Sequence, residues 1–162
     1  MRDLLMTAIV GIGATMTTDV WALVRKRLLG IRPPDYRLVG RWMGYFPRGR
    51  FIHESIADSP PVYGELLIGW TAHYLIGIAF AALLVAITGV GWIGQPTIGP
   101  ALFVGTVTVL APFLLLQPGL GAGIAASKTA NPASARVQSL LMHIVFGLGL
   151  YISALAAREL PL

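Results

Sequence analysis

Cysteine is absent from this chain of 162 residues. Its absence excludes disulfides, thiolate metal sites, iron–sulfur clusters and covalently attached haem. The redox compartment stays open, because a chain without cysteine suits either side of a membrane. Charge is also scarce: Asp, Glu, Lys and Arg make up 12% of the residues, where soluble chains carry about 25%. With 56% hydrophobic residues and a mean hydropathy of +0.73, the composition is not that of a soluble domain. The scarcest charge is negative, seven acidic residues against twelve Lys and Arg, for a net charge of +5. In a soluble protein that excess would suggest nucleic acid. Here membrane topology explains it, and no nucleic-acid partner is expected.

What the sequence has instead is length of hydrocarbon. Four apolar segments, about residues 4–24, 63–87, 97–117 and 137–157, reach the roughly 20 residues needed to cross a hydrocarbon core of about 30 Å. Lipid offers the backbone no hydrogen-bond partners, so each is expected to be helical. The expectation is an all-α polytopic membrane protein, a single transmembrane domain over residues 1–162 with four helices in a bundle. A cleaved signal peptide is the disfavoured alternative for the first segment, which is long, is interrupted by Thr15, Thr17, Thr18 and Asp19, and lacks a small-x-small cleavage site.

Ten of the twelve Lys and Arg fall in two loops, residues 25–62 and 118–136. The first holds Arg25, Lys26, Arg27, Arg32, Arg37, Arg41, Arg48 and Arg50; the second holds Lys128 and Arg136. Four helices put both loops on one side, which the positive-inside rule makes cytoplasmic. Both termini and the charge-free connection GVGWIGQP (Gly89–Pro96) are then expected on the outside. Within the first loop, Leu38, Val39, Trp42 and Phe46 recur at helical spacing, with Arg37, Arg41 and Arg48 on another face. That pattern suits a short helix in the headgroup layer, started by Pro33-Pro34-Asp35 and stopped by Pro47. Arg37, Arg41, Trp42 and Arg48 are its lipid-interface candidates, either as a plain anchor or as a site for anionic lipid or a phosphorylated ligand.

Three motifs fail on inspection. His53-Glu54 begins like a zinc-protease helix, but Ala57 stands where the second histidine is needed. PGLGAGIAASKT (Pro118–Thr129) has Ser127, not glycine, before the lysine of a phosphate loop. Gly121-x-Gly123-x-x-Ala126 follows a membrane helix rather than the strand that a dinucleotide fingerprint requires.

The ionisable residues within the spans are harder to set aside. Helix one carries Asp19, helix two Glu65 and His73, and helix four His143. Such groups are costly in hydrocarbon and normally face the bundle interior. At about 1.5 Å per residue, Asp19 lies about 8 Å before Val24, His73 about 12 Å past Glu65 and His143 about 9 Å past Val137. All fall in the cytoplasmic half, with Glu65 at the mouth. Stepping by four gives Gly11, Thr15, Asp19 on helix one, Glu65, Gly69, His73, Gly77, Ala81 on helix two, and Ser139, His143, Gly147, Tyr151 on helix four. Small residues at that spacing let membrane helices approach closely. GWTAHYLIGIAF (Gly69–Phe80) also aligns with SLLMHIVFGLGL (Ser139–Leu150), histidine on histidine and glycine on glycine, as a parallel repeat of two helix pairs would.

The blocks GATMTTDVW (Gly13–Trp21), GRWMGYFPRGRFIHESIADSPPVYGELLIGWTAHYLIG (Gly40–Gly77), QPGLGAGIAASKTANP (Gln117–Pro132) and HIVFGLGLY (His143–Tyr151) together resemble domain of unknown function 2938. The resemblance covers nearly the whole chain. It implies a small multi-pass protein of the bacterial inner membrane and brings no substrate, cofactor or catalytic residue.

Three functional readings stand. In the first, Asp19, His73 and His143, with Glu65 and Thr15, form a protonatable site that binds or translocates a small solute. Ser127, Lys128 and Asn131 are loop candidates for the same ligand, and Pro100 and Pro112 weaken helix three. Four helices are few for a lone permease, so a homo-oligomer or a subunit of a membrane complex is expected. In the second, His73 and His143 ligate the iron of a b-type haem or flank a quinone, with Gly77 and Gly147 leaving room for a flat ring. No other metal site is expected, and the cofactor stays unknown. In the third, these residues only hydrogen-bond between helices in a structural or accessory subunit. A hydrolase is disfavoured, since no serine sits beside a histidine with an orienting acid. The topology is checked by a reporter fused at Leu162, expected to be active on the outer side; activity confined to the cytoplasm overturns it.

Overall fold

The computed structural model describes residues 1–160; Pro161 and Leu162, the site of the reporter fusion, lie outside the described residues. Among the described residues every regular element is helical. Four helical stretches are long and apolar enough to cross a membrane: Arg2–Leu29, Glu65–Thr88, Ile98–Leu120 and Pro132–Ala157. The protein is an all-α, multi-pass membrane protein.

The helices differ from the expected spans mainly at their ends. The first, α1 (Arg2–Leu29), runs past Val24 because Arg25, Lys26 and Arg27 are good helix formers, and two of them place positive charge at the negative end of the helix. Left-handed Gly30 closes it, its N–H reaching the Arg25 and Lys26 carbonyls. Its threonine run does not break it. Thr7, Thr15 and Thr17 return their hydroxyls to the carbonyls of Asp3, Gly11 and Gly13, four residues back, and Thr18 to Thr15. A short helix α2 (Tyr36–Gly44) follows, and the Asp35 carboxylate caps it by accepting from the Arg37 N–H at 3.0 Å. The second span is α3 (Glu65–Thr88).

The charge-free connection Gly89–Pro96 contains a one-turn helix, α4 (Gly91–Gly94), whose Trp92 and Ile93 are buried in the core. The third span is not uniform. It comprises α5 (Ile98–Val107), a turn at Thr108–Val109, a π-helical stretch Pro112–Leu116 and α6 (Gln117–Leu120). Pro100 lies in the first turn of α5, where a missing N–H costs nothing, whereas Pro112 lies inside the span and removes a ladder donor. The last span, α7 (Pro132–Ala157), begins five residues before the expected position. Proline suits a first helical position, and the Asn131 side chain caps the Ser134 N–H at 3.1 Å.

The chain divides into two compact units. One comprises Met1–Pro33, Tyr74–Thr108 and Leu141–Leu162; the other comprises Pro34–His73 and Val109–Leu140. The core of the first holds Val10 and Ala14 of α1, Leu84 of α3, Val104 of α5 and Leu150 of α7. Its helices meet at glycines. A Cβ on Gly11 would strike Gly77 and Ile78, one on Gly77 would strike Thr15, and one on Gly105 would strike the backbone of Gly147.

In the second unit α2 lies directly on the start of α3. A Cβ on Gly40 would strike the Glu65 carbonyl, and one on Gly69 the Tyr36 carbonyl. Trp42 packs on Gly119, and its indole N–H donates to the Phe51 carbonyl at 2.8 Å. The segment after α2 is tied down by backbone bonds from His53 N–H to the Gly119 carbonyl and from Ile56 N–H to the Leu120 carbonyl, both 3.1 Å. The long basic loop is therefore a packed structure, not a free linker.

Gly105→Leu is expected to cost about 1–3 kcal/mol or more, because the new side chain must push two helix backbones apart. Gly99→Ala, where an added Cβ meets nothing within 4 Å, should be neutral. Unfolding in mixed detergent micelles separates the two outcomes.

Candidate functional site

The polar residues expected inside the spans fall into both units. In the first, Asp19 of α1 is half-buried and accepts a hydrogen bond from the Tyr74 hydroxyl of α3 at 3.0 Å. The register explains the pairing. The antiparallel helices touch at Gly11, Thr15 and Gly77; one turn beyond Thr15 is Asp19, and one turn before Gly77 is Tyr74. Thr15 is buried, with its hydroxyl on its own helix at Gly11.

His143 of α7 is placed by an equivalent contact, one turn before Gly147, where α7 meets α5. Its Nδ1 lies 3.2 Å from the Gly105 carbonyl and 3.1 Å from the Thr108 hydroxyl, which itself donates to that carbonyl at 2.7 Å. Gly105 is close to the end of α5, where carbonyls lose their helical partners, and the two side chains take up this one. A carbonyl only accepts and the Thr108 proton is already committed, so Nδ1 carries a hydrogen; in the neutral ring Nε2 then holds the lone pair.

In the second unit His73 sits against Tyr36 of α2, ring centroids 4.2 Å apart, with the Tyr36 hydroxyl 3.0 Å from Nε2. Trp70 flanks both rings, at 4.6 Å from Tyr36 and 5.8 Å from His73. Iron ligation through Nε2 would require His73 to exchange this hydroxyl for the metal.

Glu65 is ion-paired. Arg41 Nε donates to Oε2 at 2.8 Å and Nη2 to Oε1 at 3.0 Å, while Oε2 also accepts the Val62 N–H at 3.1 Å. Arg41 Nη1 reaches the carbonyls of Ile56, Ala57 and Ser59 at 3.0–3.3 Å. The hydrogen-bonded carboxylate holds the guanidinium above its usual pKa. Arg41, an interface candidate by sequence, thus joins α2, the following loop and the start of α3, and each of its three nitrogens already has an acceptor. Arg37 and Arg48 are exposed and Trp42 is half-buried. Ser127 and Lys128 are exposed on the glycine-rich turn, and Asn131 serves as the cap of α7. Among the described residues no group of three or more His, Asp or Glu is arranged to hold a metal ion.

Tyr74, Tyr36 and Thr108 are the partners that sequence reasoning missed. Tyr74 had one usable signal: it lies one turn from Gly77, on the flank of the packing face.

The chain is a multi-pass helical membrane protein with hydrogen-bonded carboxylate and imidazole groups inside its spans. It belongs to the family described as Protein of unknown function (DUF2938), whose family model matches residues 8–157. No curated protein and no solved structure matches the chain.

Removing either charge of the Arg41–Glu65 pair strands the other. Arg41→Gln and Glu65→Gln should each destabilise the fold by about 1.5–3 kcal/mol, and the double variant by less than their sum, with a coupling of about 1–2 kcal/mol. A double-mutant cycle on detergent-solubilised protein measures this coupling; strict additivity would mean that the pair is not an energetic unit.

Proposed function

We propose that the protein binds or translocates a small solute in a proton-linked manner in the bacterial inner membrane. The single observation that carries this reading is the Asp19 carboxylate, half-buried in a membrane-spanning helix and held by the Tyr74 hydroxyl at 3.0 Å. A carboxylate at such a position costs free energy whether it is charged or protonated, and a group that only had to pack could be apolar. The Tyr74 hydroxyl can donate to the ionised form, and rotation about the C–O bond lets it accept from the protonated form. Both protonation states of Asp19 therefore have a partner. His143 adds a second acceptor, with Nδ1–H fixed on Gly105 and Thr108 and the lone pair on Nε2.

The charge distribution supports an orientation with both basic loops in the cytoplasm and both termini in the periplasm. Four spanning helices favour a homo-oligomer or a subunit of a larger membrane complex as the working form.

Infrared difference spectra of reconstituted protein, titrated between about pH 3 and 9 to bracket carboxyl and imidazole ionisation, test the reading. A protonated-carboxyl band is expected that disappears in Asp19→Asn and shifts in Tyr74→Phe. If the wild-type and Asp19→Asn titrations coincide over that range, the proton-linked role of Asp19 is wrong.

A further inference from the structure

Two arginines that the proton-linked reading leaves unused are mounted on one tyrosine. The turn in Phe46-Pro47-Arg48-Gly49-Arg50-Phe51 is wound on Tyr45, whose carbonyl accepts the N–H of Arg48 at 3.0 Å and that of Arg50 at 3.3 Å. Gly49, between them, takes the left-handed φ of 69° that the turn requires. The guanidinium carbons of Arg48 and Arg50 stand 5.2 and 5.3 Å from the centroid of the Tyr45 ring. That ring is a fixed platform, since Tyr45 is 3% exposed and its hydroxyl donates to the Pro60 carbonyl at 3.0 Å.

Stacking on an aromatic face orients a guanidinium without neutralising it. Neither arginine forms an ion pair or a side-chain hydrogen bond among the described residues, in contrast to the fully engaged Arg41. Glu54 and Asp58 line a groove together with Arg50, yet neither is ion-paired with it. Both arginines are exposed, and the residues that follow, Phe51 and Ile52, are 55% and 75% exposed. Guanidinium donors match phosphate oxygens, and apolar side chains next in the chain match hydrocarbon.

We propose that Arg48 and Arg50, held on the Tyr45 ring beside exposed Phe51 and Ile52, form a binding site for the phosphate headgroup of an anionic membrane lipid. A soluble phosphate would use the guanidinium groups and leave Phe51 and Ile52 in water. A lipid uses both, and in a multi-pass membrane protein lipid is the ligand always at hand. The site needs no proton-linked chemistry, so it stands or falls separately from the role of Asp19.

Native mass spectrometry of the full-length protein, released from micelles containing equal phosphatidylglycerol and phosphatidylcholine, tests the proposal. The wild type should retain phosphatidylglycerol selectively, and lose it when salt is raised to about 0.5 M. A basic residue near an anionic surface strengthens binding about fivefold, so Arg48→Gln/Arg50→Gln should bind about thirtyfold more weakly. Ile52→Ser should weaken lipid retention, and Arg2→Gln should leave it unchanged. If the double variant does not fold, Arg50→Gln alone and the wild-type salt dependence decide. Equal retention of both lipids, undiminished retention by the arginine variants, or full displacement of lipid by equimolar inorganic phosphate would each overturn it.

Discussion

Backbone-to-backbone contact at glycine is the constraint on which the first unit depends. Lipid tails are as apolar as leucine, so membrane helices gain little by hiding hydrocarbon from one another and associate through close packing. Gly11 on Gly77 and Gly105 on Gly147 bring two helix pairs together without intervening side chains. At that separation, side chains one turn away can bond across the interface, as Tyr74 does with Asp19 and His143 with Thr108. The polar chemistry follows from the packing. A larger residue at either contact would remove those bonds by distance alone.

The internal alignment of the two histidine helices holds for the glycines and divides at the histidines. Gly77 and Gly147 play the same part, Gly77 lying against α1 and Gly147 against α5, each in the preceding membrane-spanning stretch. His143 then bonds within that pair, to Gly105 and Thr108, while His73 is taken up by Tyr36 of the short helix α2. Two similar glycine contacts thus stand beside two different polar partners. The short helix α2 accounts for the difference, since the connection between the third and fourth spans carries no comparable α-helix.

Hydropathy and residue count made the four spans legible, because in lipid an apolar stretch of sufficient length has no alternative to helix. Glycine spacing made the packing faces legible for the same kind of reason: the period of a helix is known in advance. Helix ends were less legible, since Arg25–Arg27 favour helix as much as they signal a loop. The burial of Trp92 and Ile93 was hidden in a segment that reads as turn. The polar partners were hidden most. Arg41 and Glu65 are 24 positions apart, and Asp19 and Tyr74 are 55 apart. Nothing local in either stretch marks which tyrosine or arginine the tertiary fold will deliver. That α2 docks on the start of α3 through Gly40 and on Gly119 through Trp42 was hidden as well, since a helical pattern names a face and not its partner.

The π-helical stretch Pro112–Leu116 is in effect one residue too many for the span that contains it. Each residue of an α-helix turns the chain by about 100°, so the surplus sets the azimuth of Gln117 relative to Pro112 at the start of the stretch. Deleting a single position there would restore α-helical geometry across that stretch and swing the Gln117 side chain away from the Ser139 hydroxyl it now meets at 3.2 Å. A length change of one residue, invisible to any measure of hydrophobicity, is thereby a switch of azimuth for one end of a transmembrane helix.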